Sequence, residues 1–408
     1  MIRRVLAAVV FFAACARPEL PRVSPVTRAP DVRVGVVVGE GSLTLGGPGG
    51  GALALSTAEH GWVGEVPGDA TATVDAAEGA LRVRIGEAVL RPGLAVIVSG
   101  GNSSTPVRLN GRDYRGQFTI HLRGDRITAI NLVDLEEYLV GVVGTEMGIR
   151  SGAEQAALEA QAVVSRTITL QRIGQSRTRP FDLLATVADQ AYAGQGAEAE
   201  NVARAVRQTR GLAVMYQGAV IDAFFHSTCG GRTARGTEVF AAADRPYLQS
   251  IADHDDGGRA WCAISPRFRW QERWTAEELA RTLRGTLPAA GTSGEVAALR
   301  DIRVVERTGT GRVARLEVVT ANGTHPLTGP RARQVLRPVG GGLLRSADFI
   351  IQVTRNGEQI VGLAAEGSGA GHGVGMCQWG AIGRARAGFS FQSIVSAYFP
   401  GTEISRVY

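Results

Sequence analysis

One carboxylate stands where it could do acid–base chemistry. Glu146 follows a run of apolar residues, precedes a methionine and lies between two segments with helical spacing. Desolvation at such a place would raise the pKa of the carboxyl group and make it a general acid. An ordinary solvated glutamate in a turn is the alternative, and the local pattern by itself favours that alternative.

Two histidines stand next to glycines. His226 follows a strand-like apolar segment and opens the turn His-Ser-Thr-Cys-Gly-Gly, where backbone could approach a ligand closely. A buried histidine at a strand end, satisfied by its neighbours, is the alternative for His226. His372 lies in GSGAGHGVGMCQWG, whose glycines do not follow the dinucleotide-binding fingerprint. We expect a strained loop that presents this imidazole.

The cysteines leave two interpretations open. Four occur, at Cys15, Cys229, Cys262 and Cys377. Side chains of suitable type for a zinc site are His226, Cys229, His254 and Cys262. His226-x-x-Cys229 is an acceptable chelate, but seven residues separate the second pair, unlike a standard zinc knuckle. A Cys229–Cys262 disulfide is the alternative and is slightly favoured if the protein is exported. No cofactor is required, and zinc is the candidate metal.

Two predicted helices must position Glu146. Segment Asn131–Gln171 indicates a helix, a sharp turn and a second helix, with apolar residues at helical spacing on one face of each. Capping-box pairs and a glycine stop mark the predicted ends: Asp134 with Glu137, Gly144, and Ser151 with Glu154. The pattern therefore places Glu146 in the turn of a helix hairpin.

The expected fold class is α+β. We expect the central helix hairpin to pack with a mixed or antiparallel sheet, beside a β-rich N-terminal lobe and a smaller inserted lobe. In the N-terminal lobe, Leu81–Ile85 alternates strictly, as a half-buried strand does. The predicted divisions are a signal peptide 1–15, a tether 16–30, a β-rich lobe 31–130, the core 131–262, an inserted α+β lobe 263–365, and a closing core segment 366–408.

The N-terminal residues predict export. Arg3 and Arg4 precede the apolar run Val5–Ala14, which is too short to span a bilayer permanently but suits a signal peptide. Cys15 stands where a bacterial lipobox has its cysteine, although Phe12 replaces the usual leucine. Lipid attachment at Cys15, which would make the protein a lipoprotein, and simple cleavage both remain open. Any membrane contact would be through that lipid.

The net charge and the absence of lysine exclude several classes of function. The net charge is +6, and all 44 basic residues are arginine because the sequence contains no lysine. A Walker phosphate loop, a Schiff base and a Ser-Lys dyad are thereby excluded, since each needs an amine. Mild basicity suits an anionic surface such as a cell wall, whereas a nucleic-acid binder would need a clustered basic stripe. We therefore expect no nucleic-acid partner.

Several separated strings resemble one family. These are YLVGVVGTEMG, LEAQAVVSRT, AVRQTRGLAVMYQG, AFFHSTCGGRT and GHGVGMCQWGAIGRARAGFSFQSIVSAYFPGT. In this order and spacing, over residues 30–408, they resemble stage II sporulation protein D and the amidase-enhancer (LytB-type) proteins. The resemblance implies bacterial peptidoglycan as the substrate. Sporulation-type members are lytic transglycosylases that cut glycan strands, preferring strands stripped of peptides, and amidase-enhancer members stimulate a partner hydrolase.

The resemblance also implies roles for particular residues. Glu146 matches the family's catalytic position, so the resemblance reverses the preference for a turn glutamate. His226, Ser227 and His372 fall in motifs expected to border the cleft. Other polar residues match family positions and could contact sugar hydroxyls or join the two lobes: Gln161, Arg166, Tyr192 and Gln378. The remaining nearby glutamates are assigned to helix caps and solvated faces: Glu136, Glu137, Glu154 and Glu159.

The family's cysteine and metal patterns differ from this sequence. Cys377 replaces a serine common in the family motif, and we expect a free, small, buried residue there. Some sporulation-type relatives are thought to bind zinc near the glutamate, but with another ligand spacing.

The expected function is cleavage of peptidoglycan glycan strands by an exported protein of the cell envelope. A single carboxyl can serve as acid and then base, because the sugar's 6-hydroxyl closes an anhydro ring without water. A non-catalytic enhancer of a cell-wall amidase and a glycan-binding module are the alternatives. A role in sporulation does not follow from the sequence. Glu146 should face the His226–Gly231 turn and the His372 loop across one groove.

Overall fold

The structure is a computed structural model that describes residues 28–47, 51–102, 105–176, 178–291 and 298–408. The predicted signal peptide 1–15, Cys15 and most of the tether 16–30 lie outside the described residues. Within the described ranges, none of the helices is both long and apolar enough to cross a membrane.

Helices and strands alternate in blocks along the described chain. The helices are α1 Leu135–Met147, α2 Gln155–Arg172, α3 Glu200–Gln208, α4 Gly236–Val239, α5 Ala276–Thr286, α6 Gly329–Val335, α7 Gln378–Arg386 and α8 Phe391–Tyr398. The strands are β1 Asp31–Glu40, β2 Ser42–Gly46, β3 Leu53–Thr57, β4 Gly61–Val66, β5 Thr71–Ala77, β6 Ala80–Ile85, β7 Ala88–Gly93, β8 Ala95–Gly100, β9 Val107–Leu109, β10 Arg112–Tyr114, β11 Gln117–Arg123, β12 Arg126–Asp134, β13 Leu183–Leu184, β14 Leu212–Tyr216, β15 Ala219–Val220, β16 Phe225–His226, β17 Arg269–Thr275, β18 Leu299–Arg307, β19 Val313–Thr320, β20 Gly323–Thr328, β21 Phe349–Asn356, β22 Gln359–Ser368, β23 Met376–Cys377 and β24 Glu403–Arg406. The predicted α+β class is confirmed.

Two sheets make up the N-terminal part. One has seven strands in the order β13-β1-β12-β11-β8-β3-β4, and the other has six in the order β10-β9-β2-β5-β6-β7. In β6, Leu81 and Val83 are buried and Arg84 is exposed, so the predicted alternation is confirmed. β13 lies parallel to β1, and a 2.7 Å ion pair from Arg33 to the buried Asp182 holds the two chain segments together. The N-terminal strands are thus tied to the helical part.

The helix hairpin forms largely as predicted, with one correction. Asp134 caps α1, and its carboxylate accepts a hydrogen bond from the N–H of Glu136 at 2.8 Å. The prediction that Gly144 ends this helix is wrong, because α1 continues to Met147. Gly144 serves packing instead: a Cβ there would lie 2.1 Å from the carbonyl oxygen of Ala197. Glu146 therefore lies in the last turn of a helix and not in the turn that follows.

The strand-like apolar segment before His226 is Val220–Phe225, and the prediction that it forms one continuous strand is wrong. Only Val220, in β15, and Phe225, in β16, belong to strands. β15 pairs with β14, whereas β16 pairs in parallel with β23, where His226 lies opposite Cys377. The chain leaves one sheet and enters another between these two short strands, so a continuous strand cannot form.

Buried apolar side chains form two clusters among the described residues. The first joins the N-terminal sheets to α1, α2, α3, α7 and α8. The second contains residues between Trp270 and Ala365, from the sheets β17-β22-β21 and β18-β19-β20 and from α5 and α6. This second core lies within residues 263–365, and β24 then pairs with β14 to return the chain to the first core. The predicted division at residue 130 stays a prediction.

Candidate active site

One cleft of about 1160 Å³ lies where the first core meets the second. Glu146 lines it from the end of α1, and Gln378 and Trp379 line it from the start of α7. The second core contributes arginines to its wall. The turn after β16 and the glycine-rich loop before β23 complete the lining, with His226, Ser227, Gly371 and His372. The structure thus brings Glu146 and both predicted loops to one groove.

Glu146 is a partly buried carboxyl group held by two donors. The N–H of Ala191 donates to Oε1 at 2.8 Å, and the Nε2 amide of Gln378 lies 3.4 Å from Oε2. Burial is the largest influence and raises the pKa of Glu146, although both hydrogen bonds act in the opposite direction. The group therefore keeps its proton to higher pH than an exposed glutamate. A raised pKa suits a general acid.

Gln161 acts behind Gln378 and does not line the cleft. It is fully buried, and its Oε1 lies 3.5 Å from the Nε2 of Gln378. Its own Nε2 donates to the Oγ of Ser165 at 3.0 Å, which fixes the orientation of the amide. Gln161 therefore positions Gln378, and the prediction that it binds substrate directly is corrected.

His226 has one satisfied and one unsatisfied nitrogen. Its Nδ1 lies 3.1 Å from the carbonyl oxygen of Val374, so Nδ1 carries the proton and donates it. The Nε2 is buried and has no hydrogen-bond partner among the described residues. Burial and the neighbouring His372 lower the pKa of His226, so the ring is neutral. A neutral imidazole of this tautomer presents Nε2 as an acceptor.

His372 is held as a neutral donor by its own loop. Its Nδ1 accepts the N–H of Val374 at 3.1 Å, so the proton lies on Nε2 and is directed to the backbone of Phe225. Burial lowers its pKa to about 4. Gly371 has φ of 104°, and a Cβ there would lie 2.8 Å from the Cβ of His226. The glycines therefore allow the two histidine-bearing segments to touch.

Arg166 and Tyr192 do not reach the cleft. Arg166 is fully buried and donates two hydrogen bonds to the Glu136 carboxylate, at 2.9 and 2.8 Å. Tyr192 is buried too, donates to Asn131 at 3.0 Å and packs against the ring of Tyr138. Their predicted role in substrate binding is corrected, because the polar groups of both side chains already form hydrogen bonds inside the first core. Glu136 is likewise a buried ion-pair partner and not a solvated residue.

The structure brings two of the four predicted zinc ligands together. Cys229 and Cys262 lie together, but the residues that join them are Asp253 and Cys377, with ligand atoms within 4.8 Å of one another. His226 is not part of this group, because its Nδ1 donates to the carbonyl oxygen of Val374. His254 lies outside the group as well. The described cysteines are free thiols, so the alternative Cys229–Cys262 disulfide is not formed. Cys377 is buried and free, as expected, but it is not isolated.

The sequence did not reveal two basic residues and one aromatic residue of the cleft. The guanidinium group of Arg150 lies 5.2 Å from the ring centroid of Trp379, and both residues line the cleft. Arg312 enters from the second core and donates to the carbonyl oxygens of Cys229 at 3.2 Å and Arg232 at 2.6 Å. Trp379 could have been found from its place in the glycine-rich string. Arg312 lies in a stretch without a motif.

Comparisons with known proteins match this architecture. The family model described as stage II sporulation protein matches residues 123–216, which include both helices of the hairpin. A second model, a domain of unknown function named DUF8618, matches residues 260–375, the region of the second core.

Curated relatives extend the match over most of the chain. Stage II sporulation protein D of Bacillus amyloliquefaciens is 30% identical over 294 residues, covering 68% of this chain and 76% of the relative. An uncharacterized protein of Brachyspira hyodysenteriae is 30% identical over 297 residues, covering 72% and 73%. The amidase enhancer of Bacillus subtilis is 27% identical, covering 74% of this chain and 46% of that protein.

The fold and the cleft define a two-core α+β protein with a partly buried carboxyl group in a large cleft. The chain belongs to the stage II sporulation protein D family.

Proposed function

We propose that this protein is a lytic transglycosylase that cleaves the glycan strands of peptidoglycan, acts in the cell envelope after export, and uses Glu146 as its acid and base. Peptide-stripped strands would be its preferred substrate. The observation that carries the proposal is Glu146 itself, a carboxyl group with a raised pKa in a large cleft. Family membership supports the substrate class, since one relative is named for enhancing an amidase and others for sporulation.

The first step is protonation of the leaving group. The N–H of Ala191 donates to Oε1 of Glu146 at 2.8 Å, whereas the Gln378 amide lies farther from Oε2, at 3.4 Å, so we place the proton of the neutral acid on Oε2. Transfer of this proton to the glycosidic oxygen breaks its bond to C1 of the muramic residue. Positive charge then develops on that sugar ring, and the new carboxylate stabilises it.

The second step uses the same carboxylate as a base. Glu146 removes the proton of the muramic 6-hydroxyl, and O6 forms a bond to C1 in place of the bond that broke. The product is a 1,6-anhydro-muramic end, and Glu146 recovers its proton. No water is consumed, so a second carboxylate to activate a nucleophile is not required.

Polar groups around Glu146 would orient the glycan. The Nε2 of His226 is an acceptor without a partner among the described residues, which a sugar hydroxyl could satisfy. Ser227 and Gln378 line the same cleft, and Trp379 offers an aromatic face. His372 acts mainly by fixing the loop beside His226, since its own nitrogens face backbone groups.

A second candidate function is enhancement of a cell-wall amidase without catalysis. The 27% identical relative named amidase enhancer favours it. In that case the cleft would bind glycan, and the protein would bring a partner amidase to its substrate. Glu146 would then serve binding alone.

Digestion of purified, peptide-stripped glycan separates the two candidates. Wild-type protein, Glu146→Gln and Glu137→Gln would be incubated with the strands, and anhydro-muramic ends would be counted by mass spectrometry. Glu137→Gln is the matched control, because Glu137 is an exposed residue of the same helix outside the cleft. We expect anhydro ends from wild type and control, and a loss of about 10²-fold or more in Glu146→Gln.

The outcomes are distinct. Absence of anhydro ends with wild-type protein, on strands that another lytic transglycosylase cleaves, would refute the enzymatic proposal. Stimulation of an added amidase by wild type and Glu146→Gln alike would then support the enhancer. If Glu146→Gln and wild type gave equal amounts of product, the protein would be a glycan-cleaving enzyme, but Glu146 would not be its acid.

A further inference from the structure

Three cysteines and an aspartate meet at one buried point behind the cleft. We call Cys229, Cys262, Cys377 and Asp253 the cysteine cluster. The Sγ atoms of Cys229 and Cys262 are 3.5 Å apart, and the Sγ of Cys229 lies 3.3 Å from Oδ2 of Asp253. All four residues are buried, with at most 2% of each exposed. Four potential ligands from three separate chain segments thus converge at one buried point.

We propose that the cysteine cluster binds one zinc ion through three thiolates and the Asp253 carboxylate. Two sulfurs on a tetrahedral zinc ion are about 3.8 Å apart, given Zn–S bonds of about 2.3 Å. The 3.5 Å between Cys229 and Cys262 is near that value and far from the roughly 2.05 Å of a disulfide. A set rich in thiolate sulfur with tetrahedral spacing selects zinc over hard cations such as magnesium or calcium.

Backbone N–H groups point at the sulfurs as they do at metal-bound thiolates. Sγ of Cys377 accepts from the N–H groups of Cys229 and Gly380, each at 3.2 Å. Sγ of Cys229 accepts from the N–H of Gly231 at 3.4 Å. Cys377 is also the N-cap of α7, where the helix end favours negative charge. These N–H donors favour anionic sulfur at Cys229 and Cys377.

Asp253 is oriented as a fourth ligand. Its Oδ1 accepts from Arg384 at 3.1 Å, and the Tyr398 hydroxyl lies 2.9 Å from Oδ1 and 3.0 Å from Oδ2. The same Oδ2 lies 3.3 Å from Sγ of Cys229. Such outer contacts are what hold a ligating carboxylate in place. Arg384 and Arg312, which donates to the Cys229 carbonyl, offset the two negative charges that three thiolates and a carboxylate leave on a zinc ion.

The zinc ion would stabilise the floor of the cleft. Cys377 directly precedes Gln378, the amide partner of Glu146, and Cys229 lies three residues after His226. Cys262 lies where the chain passes toward the second core. Zinc would therefore fix the relative position of three segments without touching substrate. This inference does not rest on the proposed cleavage activity, because binding and stability can be measured without it.

Metal content tests the site directly. The full chain, purified without chelators, would be analysed by plasma mass spectrometry, with about one zinc per chain expected. Replacement by Co²⁺ should give the sulfur-to-cobalt charge-transfer absorption of a tetrahedral thiolate site. Chelation of zinc should lower the melting temperature. Cys377→Ser should reduce zinc content at least tenfold, and its cobalt spectrum, if cobalt still binds, should show weaker thiolate absorption.

His254→Ala is the matched control, because it removes an alternative ligand outside the cysteine cluster. It should keep the full zinc content. Protein that contains no zinc, binds none on addition of zinc to the reduced chain, and titrates as free thiols would refute the site. A Cys229–Cys262 disulfide in the exported protein, found by peptide mapping, would refute it too. If His254→Ala lost zinc while Cys377→Ser retained it, the ligands would include His254 and not Cys377, which would refute the proposed site.

Discussion

Arg166 is a fully buried arginine whose guanidinium group is shared between one carboxylate and backbone carbonyls. It donates to Glu136 and to the carbonyl oxygen of Leu212 at 3.1 Å, and Glu136 also accepts from the hydroxyl of Tyr408. The pair links α1, α2 and the last residues of the chain. A buried charge is tolerated only while its partners remain, so this network acts on stability.

Arg166→Met should lower the free energy of unfolding by about 3–5 kcal/mol, because it leaves the Glu136 carboxylate buried without its counter-charge. Chemical denaturation followed by circular dichroism measures this change. The matched control is Arg207→Met, which breaks an exposed pair with Glu200 and should cost about 1 kcal/mol or less. If Arg166→Met unfolded like this control but bound glycan more weakly, Arg166 would be a ligand contact after all.

Gln378 should set the alkaline limit of activity. Its amide stabilises the ionised form of Glu146 and so lowers the pKa that burial raises. Removing it in Gln378→Met raises the pKa of Glu146 further, and the acid stays protonated to higher pH. The alkaline limb of kcat/KM against pH should move upward. Gln334→Met, at a cleft position on α6 of the second core, should leave the limb in place, because the donors to Glu146 are Ala191 and Gln378. A downward shift in Gln378→Met would contradict the argument.

Helix α1 illustrates the element scale, because its glycines serve a neighbour and not flexibility. Cβ atoms at Gly141 and Gly144 would lie within 3 Å of Tyr192 and of the carbonyl oxygen of Ala197 respectively. The segment 194–197 therefore packs directly on the helix backbone. This close contact lets the helix run on to Met147 and deliver Glu146 to the cleft.

Gly144→Ala should destabilise the protein although alanine is the better helix former. The new Cβ would meet a backbone carbonyl that cannot move aside, so we expect a loss of about 1–3 kcal/mol. Gly285→Ala is the control, since Gly285 lies in α5 and a Cβ there would have no atom within 4 Å. That change should stabilise by about 0.5–1 kcal/mol. If Gly144→Ala and Gly285→Ala changed thermal stability equally, the backbone at Ala197 would have moved aside for the new Cβ.

The sequence predicts the start of α1 but not its end, for a physical reason. Asp134 and the residues it caps are neighbours in sequence, so a local pattern reveals them. Gly144 looks like a stop because its packing partner, Ala197, lies far along the chain. The same holds at the site. Glu146 was found from its apolar run and the family resemblance, whereas Asp253 carries no local signal and joins the cysteines only in three dimensions.

At the scale of the whole molecule, polar contacts between described residues dock the second core on the first. Arg312 reaches the backbone carbonyls of Cys229 and Arg232, and Glu238 accepts the N–H of Thr310 at 3.0 Å. The second core has its own apolar cluster. The cleft wall formed by this core therefore depends on contacts that could be lost without unfolding either part.

Arg312→Met should separate the unfolding of the two cores. With the docking arginine gone, scanning calorimetry should show two transitions in place of one, because each core retains its own buried apolar side chains. Arg303→Met, which breaks ion pairs with Glu317 and Asp301 inside the second core, should leave one transition. A single transition in Arg312→Met at an unchanged temperature would mean that apolar contacts dock the cores.

Gln378 and Glu146 touch although 232 residues separate them in the chain. Ribosomes add about 5–20 residues per second, so the carboxyl group is made roughly 10 to 50 seconds before its amide partner exists. During that interval the growing chain has an acid but no finished cleft. The complete site therefore forms only late in synthesis. A truncated chain lacking the final helices would contain Glu146 without the Gln378 amide that holds it.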